Sequence, residues 1–131
     1  MSKYKRIETE IKNEALLVQA LQDLEIPFEQ GEGLSLYGYH GDKRRETAEI
    51  VVRRKHINSS ANELGFHRLP TGGFEAIISE YDSDTRGMEI LNQVRQRYAY
   101  HAVVAQARAR GYNVVQQQAQ GGALRLQLVK R

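Results

Sequence analysis

Two apolar periods, set side by side, constrain this chain more than any other feature. Between positions 88 and 105, Met88, Leu91, Val94, Tyr98, Ala102 and Ala105 recur at three- and four-residue steps, which predicts one long amphipathic helix. Most of the remaining apolar residues alternate in twos. Ile7, Thr9 and Ile11 against Arg6, Glu8 and Glu10 predict a half-buried strand. Asn13 is placed to cap a shorter helix carrying Leu17, Ala20, Leu21 and Leu24, which Pro27 ends. Leu34–His40 and Thr47–Arg54 predict a hairpin around the charged turn Asp42–Glu46. Leu64–Leu69 and Phe74–Tyr81 predict another across Pro70-Thr71-Gly72-Gly73, with a polar loop at Lys55–Asn62 before it. Asp82-Ser83-Asp84-Thr85 offers caps for the long helix, and Gly111 suits the left-handed residue after it. Tyr112–Gln118, a turn at Ala119–Gly122 and Ala123–Val129 close the chain.

The order β-α-β-β-β-β-α-β-β predicts an α+β fold. We expect a single twisted, mainly antiparallel sheet with two helices on one face, a ferredoxin-like plan with an added hairpin. The alternating strands suit a sheet covered on one side only. With 131 residues, 40% of them hydrophobic, the chain suffices for one domain spanning 1–131 around a single core. The absence of cysteine excludes disulfides, thiolate metal sites and a cysteine nucleophile. No apolar run approaches the roughly 20 residues of a membrane-spanning helix. The opening MSKYKRIETE lacks a signal-peptide core, so the expected compartment is the cytoplasm.

Charge is unevenly spread. Residues 1–89 hold 12 Lys/Arg and all 16 Asp/Glu, whereas Arg95, Arg97, Arg108, Arg110, Arg125, Lys130 and Arg131 follow with no carboxylate among them. Such polarity steers an anionic partner or a second copy of the molecule.

Several short motifs belong together: Ile7-x-Thr9-x-Ile11, Gly38-Tyr39-x-Gly41, Ala48-Glu49-Ile50-Val51, Leu64-Gly65-Phe66, Arg97-Tyr98-Ala99-Tyr100-His101, Gly111-Tyr112-Asn113-Val114-Val115 and Leu124-Arg125-Leu126. Across nearly the whole chain they resemble the hypothetical chloroplast reading frame thirty-five proteins of cyanobacteria and plastids, within the bacterial domain-of-unknown-function family twelve fifty-seven. The resemblance implies a single-domain, soluble, intracellular α+β protein with no established activity and no catalytic residue to carry over. Lys3 stands where the family usually has histidine, and Arg131 where it has tryptophan.

Two constellations are candidate binding sites. Arg97, Tyr98 and His101 fall close together on the long helix and could hold a phosphate or a carbonyl; equally, Tyr98 and His101 are amphipathic packing residues. Tyr37 and Tyr39, with Lys43, Arg44, Arg45, Arg53, Arg54 and Lys55 on the same hairpin, suggest aromatics for bases and cations for phosphates. Glu80-x-Asp82-x-Asp84 fails as a calcium loop, since positions six and twelve are Thr85 and Leu91. His40, His56, His67 and His101 have no ligand spacing, and no nucleophile, phosphate-loop or dinucleotide motif is present. We therefore expect no metal, cofactor or catalytic residue, and lean away from an enzyme. The first functional expectation is a small accessory or adaptor protein acting through protein contacts on its sheet face or edge, including a homodimer through Ala123–Val129. The alternative is an anionic ligand, single-stranded RNA first, bound by the basic C-terminal half and the 43–55 hairpin.

Overall fold

The computed structural model describes residues 3–83, 85–118 and 124–130. Asp84, Arg131 and the expected turn at Ala119–Gly122, with Ala123 beyond it, lie outside them. The fold is α+β. Its elements are β1 (Tyr4–Glu8), α1 (Glu14–Asp23), β2 (Glu29–Tyr37), β3 (Lys43–Val52), β4 (Leu64–Arg68), β5 (Phe74–Ser79), α2 (Arg86–Ala109), β6 (Tyr112–Gln118) and β7 (Leu124–Lys130). Short 3₁₀ turns occupy Arg54–His56 and Glu80–Asp82.

Local chemistry sets these boundaries. Asn13 caps α1, its side-chain oxygen accepting the Leu16 N–H at 3.1 Å. β1 stops at Glu8, short of Ile11, because the Thr9 hydroxyl donates to the Phe74 carbonyl at 2.6 Å and accepts from the Ile11 N–H at 3.2 Å. A side chain thus takes over from the strand ladder. Gly111, at φ +87°, ends α2 in the conformation that glycine adopts without steric cost.

The chain divides into two compact units, Met1–Tyr98 and Ala99–Arg131, with the boundary inside α2. The first unit holds a five-stranded sheet in the order β1-β5-β4-β3-β2, antiparallel at every step. β1 and β2 lie on opposite edges. The β1–α1–β2 crossover therefore spans three intervening strands, a wider split β-α-β than the ferredoxin-like plan has. The second unit holds β6 and β7, which pair with each other as a separate two-stranded sheet. One sheet was expected; the described residues form two.

Register assigns the faces. Ile50, Phe66 and Ala76 are direct partners across β3, β4 and β5, so they share one face, and all are fully buried. A Cβ added to Gly87 would lie 3.4 Å from Ile78, which places the start of α2 against the same face. Val51, Gly65 and Ile77 share the other face. There Leu36, Ala48, Val51 and Ile77 form a second buried cluster, so the sheet is not apolar on one side alone. Gly65 makes this packing possible, since a Cβ there would stand 3.1 Å from Ala48 and 3.2 Å from Leu36.

In α2 the buried residues Leu91, Val94 and Tyr98 follow the expected stripe; Ile90 is buried beside it, and Met88 is only half-buried. Beyond Tyr98 the stripe turns. His101, Val104 and Ala107 are buried, while Ala105 is exposed. A straight helix drifts about 20° per heptad from any seven-residue repeat, and 24 residues are enough to show it.

Candidate nucleic-acid interface

The β2–β3 hairpin turns through Gly38–Asp42, earlier than the expected Asp42–Glu46, with Gly38 N–H donating to the Asp42 carbonyl at 2.7 Å. Gly41, at φ +80°, makes the tight bend. Gly38 has a second role. A Cβ there would meet the Asp42 carboxylate and the Arg44 guanidinium, so any other residue would push that ion pair (2.7 Å) aside from its place across the turn.

Behind the turn is a half-buried polar network. The Tyr4 hydroxyl donates to the Tyr37 carbonyl at 2.7 Å and accepts from the Glu63 N–H at 3.2 Å. Burial pushes the Tyr4 phenol well above its ordinary range. The Glu63 carboxylate accepts from the Tyr37 N–H and from Arg53, each at 2.8 Å. Arg53 also grips Glu29 with two bonds at 2.8 and 3.0 Å and donates to the Ser35 carbonyl. Hydrogen bonding to Arg53 lowers the Glu29 pKa, and the same bond raises that of Arg53. Arg53 therefore serves the fold and covers the Tyr37 ring at 5.6 Å.

Arg54 also builds the site. It reaches back to the carbonyls of Ala61 (3.1 Å) and Ser59, winding the 54–62 loop around itself. Its guanidinium lies 4.6 Å from the centroid of the Tyr39 ring. The buried Asp82 carboxylate then accepts the Asn62 N–H at 2.8 Å and brings that loop beside the Glu80–Asp82 turn.

These contacts shape two recesses. The first, about 280 Å³, is lined by Tyr39, His40, Asp42, Arg44, Ser60, Asn62 and Tyr81. Tyr39 and Tyr81 are 46% and 59% exposed, and His40 stands edge-on to Tyr39 at 5.2 Å. The second, about 400 Å³, is lined by Lys3, Tyr4, Lys43, Arg44, Arg45 and Glu46. Arg44 is common to both. One recess is aromatic with mixed polar groups; the other holds four cations and one carboxylate.

The structure thus gathers Tyr37, Tyr39, Arg44, Arg45, Arg53 and Arg54 around one hairpin end, with the two last-named arginines committed to internal partners. Tyr4, His40, Ser60, Asn62, Glu63 and Tyr81 were not singled out from the sequence. The polar stretch Asn58–Asn62 reads as a plain loop until Arg54 and Asp82 are seen to hold it. The residues of the other constellation each have partners of their own. Arg97 pairs with Asp23 at 2.8 Å. Tyr98 is buried, and its hydroxyl accepts the N–H groups of Lys12 and Asn13 at 3.0 and 3.1 Å, at the start of α1. His101, in the second unit, is buried with the Tyr100 ring edge-on at 5.0 Å. Tyr98→Phe is expected to lower stability by about 1–2 kcal/mol through two lost acceptances and to leave ligand binding unchanged. Paired thermal melts and binding titrations of the variant check this.

Among the described residues no group of three His, Asp or Glu side chains is placed to hold a metal ion, and no helix is long and apolar enough to cross a membrane.

Fold and recesses together define a small α+β protein with an aromatic cleft joined to a cationic one. Residues 20–127 match the family described as protein of unknown function (DUF1257), and the chain belongs to that family. No curated protein and no solved structure matches it.

Proposed function

We propose that the protein is a non-catalytic binder of single-stranded RNA, engaged at the end of the β2–β3 hairpin. One observation carries the reading: Lys3, Lys43, Arg44 and Arg45 converge on a single recess inside a unit that is otherwise rich in carboxylates. Cations that have no need to cluster for stability, and repel one another when they do, suit an anionic ligand with several phosphates. The carboxylate-free stretch 99–131 adds a long-range positive field.

Fluorescence anisotropy with a labelled unstructured RNA, over a series of salt concentrations, tests this. Affinity should fall steeply with salt, and Lys43→Ala/Arg45→Ala should flatten the log–log slope by about 1.4. Absence of binding at low salt would remove the proposal.

A second reading, the accessory protein acting through protein contacts, draws support from β6–β7. A two-stranded sheet is marginal alone, and Val115, Leu128 and Val129 on it are each more than 40% exposed. Light scattering during the same titration separates the two readings: mass doubling without RNA favours a homodimer.

A further inference from the structure

We propose that the aromatic recess is a subsite for one unpaired nucleobase bearing an exocyclic amino group, its phosphates lying in the adjoining basic recess. The inference rests on the RNA reading above and names what that ligand must present.

The first argument is shape and stacking. At about 280 Å³ the cleft falls near the lower end of ligand pockets, which suits one base with its sugar and excludes a duplex. Tyr39 is backed by the Arg54 guanidinium at 4.6 Å, which fixes the ring before any ligand arrives. Nearly half the residue stays exposed, and Tyr81 adds a second exposed ring to the lining. Pre-set aromatics of this kind stack on unpaired bases irrespective of sequence.

The second argument is polar chemistry. Asp42 presents a carboxylate, which only accepts hydrogen bonds, and its bond to Arg44 leaves lone-pair sites to spare. Adenine, cytosine and guanine each carry an exocyclic amino donor; uracil carries none. A uracil offers that carboxylate only its ring N3–H, flanked on both sides by carbonyl oxygens that the carboxylate repels. Discrimination should run against it.

The third argument is the shared wall. Arg44 lines both recesses, so a base in one lies a single side chain from a phosphate in the other. A free polyphosphate or a sulfated sugar would fill the basic recess and leave the aromatic one empty.

The test compares short oligoadenylate, oligocytidylate and oligouridylate with an abasic strand of equal length, using the full chain and anisotropy at fixed salt. Oligoadenylate and oligocytidylate should bind more tightly than oligouridylate, and all three more tightly than the abasic strand. Tyr39→Ala and Tyr81→Ala should each weaken oligoadenylate about tenfold, leave the abasic strand unaffected and preserve the salt slope. Asp42→Asn, which can donate as well as accept, should narrow the gap between oligouridylate and the others. Far-ultraviolet circular dichroism checks that the exposed substitutions leave the fold intact. Equal affinity for abasic and normal strands, with a steep salt slope, would overturn the base subsite while sparing the RNA reading. Tighter binding of oligouridylate would overturn the role of Asp42. Failure of every strand to bind would remove both proposals.

Discussion

Phe66→Ala should lower the stability of the protein by about 4 kcal/mol, within the range for truncating a buried aromatic. Phe66 is fully buried on the central strand β4, directly between Ile50 of β3 and Ala76 of β5. Both neighbours belong to hydrogen-bonded ladders that cannot move inward together, so the space would remain largely a cavity. Close-packed interiors relax poorly around such losses. A domain of this size holds about 5–15 kcal/mol in total, so the variant should melt roughly 15 °C lower. Chemical denaturation should show an earlier midpoint with the slope unchanged, and an unaltered midpoint would refute the packing described for this face. RNA affinity at low temperature should be preserved, because the cleft lies at the hairpin end and takes nothing from this side chain.

Glu63→Ala has a comparable expected cost with a different signature. The carboxylate is 5% exposed and accepts from both Arg53 and the Tyr37 N–H. Removing it strands a backbone donor and takes one of two carboxylates from a half-buried guanidinium, for a loss of about 3 kcal/mol. Arg53 keeps Glu29, which limits the damage. Glu63→Gln retains an acceptor for Tyr37 and should cost about 1 kcal/mol. Because Tyr37 precedes the turn that carries Tyr39, amide exchange at Tyr37 and Gly38 should quicken in the alanine variant. Oligoadenylate affinity should fall with it, and unchanged exchange at these amides would show that Glu63 does not brace the hairpin.

The comparison of Tyr39 with Tyr98 shows how far residue types alone could lead. Both are candidate binding residues by sequence, and both lie near arginines. Contacts separate them. Tyr98 spends its hydroxyl on two backbone N–H groups at the start of α1, whereas Tyr39 is stacked by Arg54 and stays exposed at a cleft mouth. Arg53 and Arg54, neighbours just beyond the end of β3, divide similarly. One is locked between two carboxylates; the other is wound into a loop while it supports an aromatic ring.

The order of elements, the cap at Asn13, the stop at Gly111, the charge segregation and the family were all legible from the chain by itself, because each depends on residues within a few positions or on totals. Strand neighbours were not. A period of two says which residues share a face and nothing about which strand lies alongside, so β1 beside β5 and the separate β6–β7 sheet emerged only in three dimensions. The recesses follow the same rule: residues near positions 3, 40, 60 and 81 meet because Asp82 captures the Asn62 amide and Glu63 captures Tyr37 and Arg53. Hydrogen bonds of that reach leave no periodic trace in a sequence, since any carboxylate could make them and only the fold selects which one does.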